Sequence, residues 1–166
     1  HPFLVPESFH PQTTSDFQRT IAYLDLALEG FMKDLEDLGI LENTLVLLTS
    51  DESLGRRGGP SPIARRLSQN WGFLVAITPE QVQDVVSEPF AQMDLPLSVL
   101  DYVGLAEGGH HLFGRSLFRS YREPRSLFFA NANTRMAGTV DAESRLIMCL
   151  NDFETCHAHR PIGGRL

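Results

Sequence analysis

Asp51 and Glu52 stand side by side where the apolar run Leu45-Val46-Leu47-Leu48-Thr49 gives way to a segment rich in glycine and proline. Adjacent carboxylates on a loop leaving a strand can both turn toward one ion, and their oxygens suit Mg, Mn, Ca and Zn. The competing reading is that Asp51 caps a local backbone group and Glu52 is solvated. Arg56 and Arg57 follow, with Arg65 and Arg66 just beyond. Arg56 and Arg57 are candidates for holding a sulfate or phosphate oxygen, because a guanidinium fork matches such groups. The alternative for them is a solvated basic loop.

Three further clusters carry reactive side chains. His110 and His111 follow Gly108 and Gly109. They are either a metal-binding pair or two exposed imidazoles. Cys149 and Cys156 are the two cysteines of the chain. Two thiols build no disulfide scaffold and match no zinc spacing. They are either one buried and one exposed thiol, or a single disulfide closing a short loop, which places the chain outside the cytosol. His157 and His159 lie beside Cys156, and a Cys/His metal cluster there needs at least one more ligand. Trp71 precedes an apolar run and is expected in the core. His10 is expected at the surface.

Such residues need a scaffold, and the apolar spacing outlines one. Residues 1–12 carry Pro2, Pro6 and Pro11 and form an extended loop. A helix starts at Thr13-Thr14-Ser15-Asp16, where side-chain oxygens can cap free backbone N–H groups. Phe17, Ile21, Leu24, Leu28, Phe31, Leu35 and Leu38 then recur at spacings of four and three, forming one apolar stripe. Gly39 is the expected C-terminal stop. The helix feeds residues 45–49, apolar on both faces like a strand enclosed on both sides of a sheet, and that order is an α/β signature. Asp51 and Glu52 then lie beyond the carboxyl end of a strand, where ligands gather in open α/β sheets. A second enclosed strand is expected over residues 73–78, ending at Pro79.

Asp94 is expected to cap a second helix, with Pro96 in its first turn. Leu97, Leu100 and Val103 form its apolar face and Gly104 ends it. In the tail, residues 126–130, 135–140 and 145–150 predict short strands. Residues 141–144 turn the last two into a hairpin.

Composition sets the outer bounds. The 166 residues, 18.6 kDa, suit about one domain. A hydrophobic fraction of 42% with 21% charged residues excludes wholesale disorder. The net charge of −7 provides no broad positive face, which argues against a nucleic-acid partner. The longest purely aliphatic runs, residues 45–48 and 74–77, fall far short of the roughly 20 residues that cross a bilayer. The chain opens on His1-Pro2-Phe3 with no initiator Met and no signal peptide. It is expected to be a piece of a longer protein, whose remainder is its partner.

Four segments, in order, resemble the C-terminal half of the alkaline phosphatase superfamily, in its sulfatase and lipoteichoic acid synthase branch. Residues 23–39, running into Glu42-Asn43-Thr44-Leu45 and on to Ser50-Asp51, are similar to the family's long helix, its "NTL" strand start and its metal-binding "SDHG" end. Trp71-Gly72-Phe73-Leu74-Val75-Ala76-Ile77-Thr78-Pro79 resembles the next strand. Residues 93–105 resemble the "DLxPTLLDLxG" helix, and Phe113-Gly114-Arg115-Ser116-Leu117-Phe118 the "GRSL" segment. His1-Pro2-Phe3 resembles "HxPF". The likeness covers about residues 1–120.

The resemblance implies an alkaline-phosphatase-like α/β sheet flanked by helices over residues 1–120, with a small antiparallel extension over 121–166. It implies a metal-dependent hydrolase or phosphotransferase acting on anionic sulfate or phosphate esters, phosphoglycerol or phosphoethanolamine transfer among them. A divalent ion (Mn, Mg, Ca or Zn) would activate a hydroxyl-type nucleophile and neutralise the ester. Asp51 matches the metal-binding Asp, Glu52 stands where the family has its His, and His1 matches a His that contacts the phosphate or leaving group. Two departures follow. Asp-His-Gly is here Asp51-Glu52-Ser53, and no nucleophile segment is present. The nucleophile is expected upstream of His1, so this chain alone is expected to be inactive. A catalytically degenerate module serving as a binding or scaffold domain is the alternative. By the same resemblance, the protein is placed at the periplasmic or extracellular face of the cytoplasmic membrane.

Overall fold

A computed structural model describes residues 4–12, 15–51, 66–86, 88–141, 145–150 and 154–159. It is a mixed α/β protein with two antiparallel sheets, one of two strands and one of four, which agrees with the expected fold class. The chain divides into two compact units. One takes His1–Thr49 with Leu74–Gln83, the other Ser50–Phe73 with Asp84–Leu166. No helix among the described residues is long and apolar enough to cross a membrane.

In the first unit, helix α1 spans Asp16–Asp37 and begins as its sequence predicts. Ser15 is the N-cap, and its side chain accepts from the Gln18 backbone N–H. Asp16 adds a negative charge to the positive end of the helix dipole. The helix ends in a Schellman motif. Gly39 N–H donates to Glu36 O at 2.9 Å and Ile40 N–H to Leu35 O at 2.9 Å. Gly39 supplies the required left-handed turn with φ +64°. The preceding loop is tied to α1 by the Phe9 and Tyr23 rings, edge to face at 5.2 Å, and by Arg19, which donates to Phe9 O.

The apolar stripe of α1 exists but is not covered. No residue of the helix is buried, and Phe17, Ile21, Leu24 and Phe31 are each close to half exposed. Strands β1 (Val46–Thr49) and β2 (Leu74–Ile77) pair antiparallel, Val46 opposite Ile77 and Thr49 opposite Leu74. The expectation of strands enclosed on both faces is corrected here. Only Val46 is buried, and Val75 is 46% exposed. A ribbon of two strands has no third neighbour to extend the sheet and too little surface of its own to cover both faces.

In the second unit, helix α2 spans Leu95–Tyr102 and carries Pro96 in its first turn. It ends as α1 does, with Gly104 N–H donating to Asp101 O and Leu105 N–H to Leu100 O. Four strands follow as a meander: β3 (Ser126–Asn131), β4 (Met136–Asp141), β5 (Leu146–Leu150) and β6 (Thr155–His159). The first three match the expected strands, and β4 and β5 pair as expected. The fourth has no counterpart in the sequence reading. One face of the sheet closes over a small core of Leu67, Met136, Leu146 and Met148, with Phe129 and Leu150 packed against it. Met148 is fully buried, so Met148→Ala is expected to cost about 2–5 kcal/mol. Trp71, expected in the core, is 53% exposed.

Candidate functional site

Ser50 and Asp51 are the two residues that follow β1. Their backbone is held by side chains as well as by the strand ladder. Ser50 N–H donates to Phe73 O at 3.4 Å, and Ser50 Oγ accepts from Phe73 N–H at 3.3 Å. Gln92 Nε2 donates to Ser50 O at 2.8 Å and to Asp51 O at 3.3 Å. Asp51 itself is exposed. An acidic residue at the surface on a pinned backbone can meet an ion without first ordering the chain.

The other expected site residues, His1, Glu52, Arg56 and Arg57, lie outside the described residues. Hard divalent cations take several oxygen ligands. Among the described residues no group of three or more His, Cys, Asp or Glu side chains could hold a metal ion. Asp51 therefore does not build a metal site together with described neighbours alone. Any site there needs ligands from elsewhere.

A different acidic residue organises the second unit. Asp94, expected to cap α2, makes no capping hydrogen bond to that helix. Its carboxylate is completely buried and turns instead to Arg125. Arg125 Nη1 donates to Oδ1 at 2.6 Å, and Nη2 closes the fork on Oδ2. The backbone N–H groups of Ala91 (2.8 Å, to Oδ2) and Arg115 (2.7 Å, to Oδ1) complete the set. A buried charge is tolerated when paired and hydrogen-bonded in this way. Gly114 makes the approach possible, since a Cβ there would meet Met93 O at 2.7 Å and Asp94 Oδ1 at 3.0 Å. The 93–97 and 114–117 segments are thus joined by one carboxylate. Spacing alone could not reveal this, because an Asp ahead of Leu-Pro looks the same whether it caps the helix or reaches a distant arginine.

A cleft of about 290 Å3 opens beside α2, lined in part by Asp101, His110, Ser116, Arg119 and Tyr121. Arg119 forks onto Asp101, with Nε 2.8 Å from Oδ2 and 2.9 Å from Oδ1, and Nη2 on Oδ1. That guanidinium, helped by a hydrogen bond from Ser116, holds the Asp101 carboxyl below its ordinary range against the opposing effect of burial. The Arg119 guanidinium is correspondingly raised. Because the two charges cancel, this pair adds little attraction for an anionic ester. His110 and His111 sit at the surface with rings edge to face at 5.3 Å, and His110 Nδ1 lies 3.3 Å from Glu107 O.

Cys149 and Cys156 are bonded to each other across β5 and β6, where they face one another in register. Of the two alternatives open in the sequence, the disulfide is the one formed. Cys156 is accordingly not available as a thiolate metal ligand beside His157 and His159.

The family model described as Sulfatase matches residues 4–105, well over half of the 166 residues. The chain belongs to the sulfatase family, within the alkaline phosphatase superfamily. No curated protein and no solved structure matches it significantly.

Proposed function

We propose that this chain contributes the metal-binding rim of a sulfatase-like hydrolase or phosphotransferase that acts on anionic sulfate or phosphate esters. Membership of the sulfatase family, whose members are generally metal-dependent, supports the reading. The single observation that carries it is the place of Asp51, directly after β1 on a backbone held by Gln92. Asp51 and Glu52 bind the divalent ion together with ligands from outside the described residues, and that ion neutralises charge on the ester. Arg56, Arg57 and His1 contact its oxygens. In this proposal residues 1–120 are the C-terminal half of the catalytic domain and 121–166 its antiparallel extension, with the nucleophile on the remainder of the parent chain. The uncovered stripe of Phe17, Ile21, Leu24 and Phe31 supports such a partner, because contiguous exposed apolar surface marks an interface. The Cys149–Cys156 bond supports a location outside the cytosol; Ellman titration with and without reductant tests it.

A second reading has its own observation. Glu52 and Ser53 replace the family's His and Gly, and an added carboxylate lacks the borderline softness of imidazole. In that reading the module has lost catalysis and serves as a binding or scaffold domain. Metal content of the intact protein separates the two. Stoichiometric Mn, Mg, Ca or Zn with Asp51 and Glu52 as ligands supports the enzyme. Failure to take up any of them at millimolar concentration supports the degenerate module.

A further inference from the structure

We propose that His157 and His159 form a two-imidazole binding site for a first-row divalent metal ion such as Zn2+, Cu2+ or Ni2+, separate from the Asp51 rim. The two residues are next-but-one neighbours on β6, and side chains two apart on a strand share a face. Register fixes which face. His157 stands opposite Met148 and His159 opposite Leu146, both buried in the core. The neighbouring Cys149–Cys156 pair is bonded across the same two strands, which pins that register.

The rings are tilted by 35° with centroids 6.1 Å apart. With a metal–nitrogen bond of about 2.0 Å, two imidazoles sharing one ion lie about 5 Å apart. Bringing the rings to that distance needs a change of ring orientation, which is open to the exposed His157. His159 supplies the observation that points to a ligand. Its Nε2 is buried and has no hydrogen-bond partner among the described residues, although buried polar atoms are nearly always satisfied. Coordination would satisfy it. Imidazole suits Zn, Cu and Ni, whereas the hard cations expected at Asp51 prefer oxygen. Two protein ligands leave the remaining positions to water.

The test uses the full chain with its disulfide intact and the metal ion alone as probe. Calorimetric titration with Zn2+ is expected to show saturable binding that survives in the His110→Ala/His111→Ala and Asp51→Ala variants. One Zn2+ equivalent is expected to be lost in His157→Ala/His159→Ala. In the unmodified protein, substoichiometric Cu2+ is expected to broaden the ring-proton NMR signals of His157 and His159 before those of the other four imidazoles, a result that does not depend on any variant folding. An undiminished Zn2+ stoichiometry in His157→Ala/His159→Ala, or first broadening at another imidazole, would overturn the proposal, as would the absence of saturable Zn2+ uptake.

Discussion

Asp51 and Asp94 are both acidic residues beside secondary-structure ends, and they have opposite surroundings. Asp94 is fully buried, with a guanidinium fork and two backbone N–H groups on its oxygens. Asp51 is exposed, and Gln92 donates to its backbone oxygen. The contrast teaches what each carboxylate can be for. A charge whose lone pairs are all engaged inside the protein is there to join segments. A charge at the surface keeps contact with solvent, and in the proposed reading it is the one that meets an ion. The same division separates the four-stranded sheet, which closes on a core, from α1, whose stripe finds no cover.

The contrast is sharpened most strongly at Arg125. Arg125→Met strands a buried carboxylate, and the expected loss is about 3–5 kcal/mol, read from the denaturant midpoint. Adding Asp94→Leu is expected to restore part of that loss, because the unpaired charge goes with it. A loss under about 1 kcal/mol for Arg125→Met would show that Asp94 is not the buried hub described here.

Next in size is the staple across β5 and β6. The cysteines are seven residues apart, and reduction is expected to lower stability by about 2–3 kcal/mol through added freedom of the unfolded chain. Thermal unfolding with and without reductant measures it. An unchanged midpoint would mean that β6 is not held by this bond.

A smaller effect is expected at Asp101. Its folded-state pKa lies below the ordinary 3.8, chiefly through hydrogen bonding from Arg119. A depressed carboxyl contributes stability above its unfolded value and loses it as pH falls through the folded value. Between about pH 5 and about pH 2 the unmodified protein should therefore lose more stability than Asp101→Asn. Parallel curves would remove the role given to this pair.

The sequence made α1 legible because every part of its signal is local: the Ser15 cap, the three-and-four spacing, the Gly39 stop. It also carried β3 to β5, whose alternation is carried by Leu127, Val140, Leu146 and Met148. It did not carry β6, since the apolar positions of Thr-Cys-His-Ala-His are only the small Cys156 and Ala158; that strand is paired with β5 and joined to it by the Cys149–Cys156 bond. Asp94 stands at the N-cap position its sequence predicts, but its carboxylate bonds elsewhere. Its partner, Arg125, is 31 residues away, beyond any spacing rule. The position of Asp51 just beyond β1 was legible because a strand's end is visible in the chain, whereas any ligands that would share an ion with it depend on tertiary placement.

The most direct test of the central claim is the divalent-metal affinity of the intact protein before and after Asp51→Ala. The account predicts that binding of the oxygen-preferring cations Mn2+, Mg2+ and Ca2+ is lost, while the unfolding free energy stays within about 0.5 kcal/mol, as expected for an exposed side chain. Unchanged affinity in that variant would contradict it.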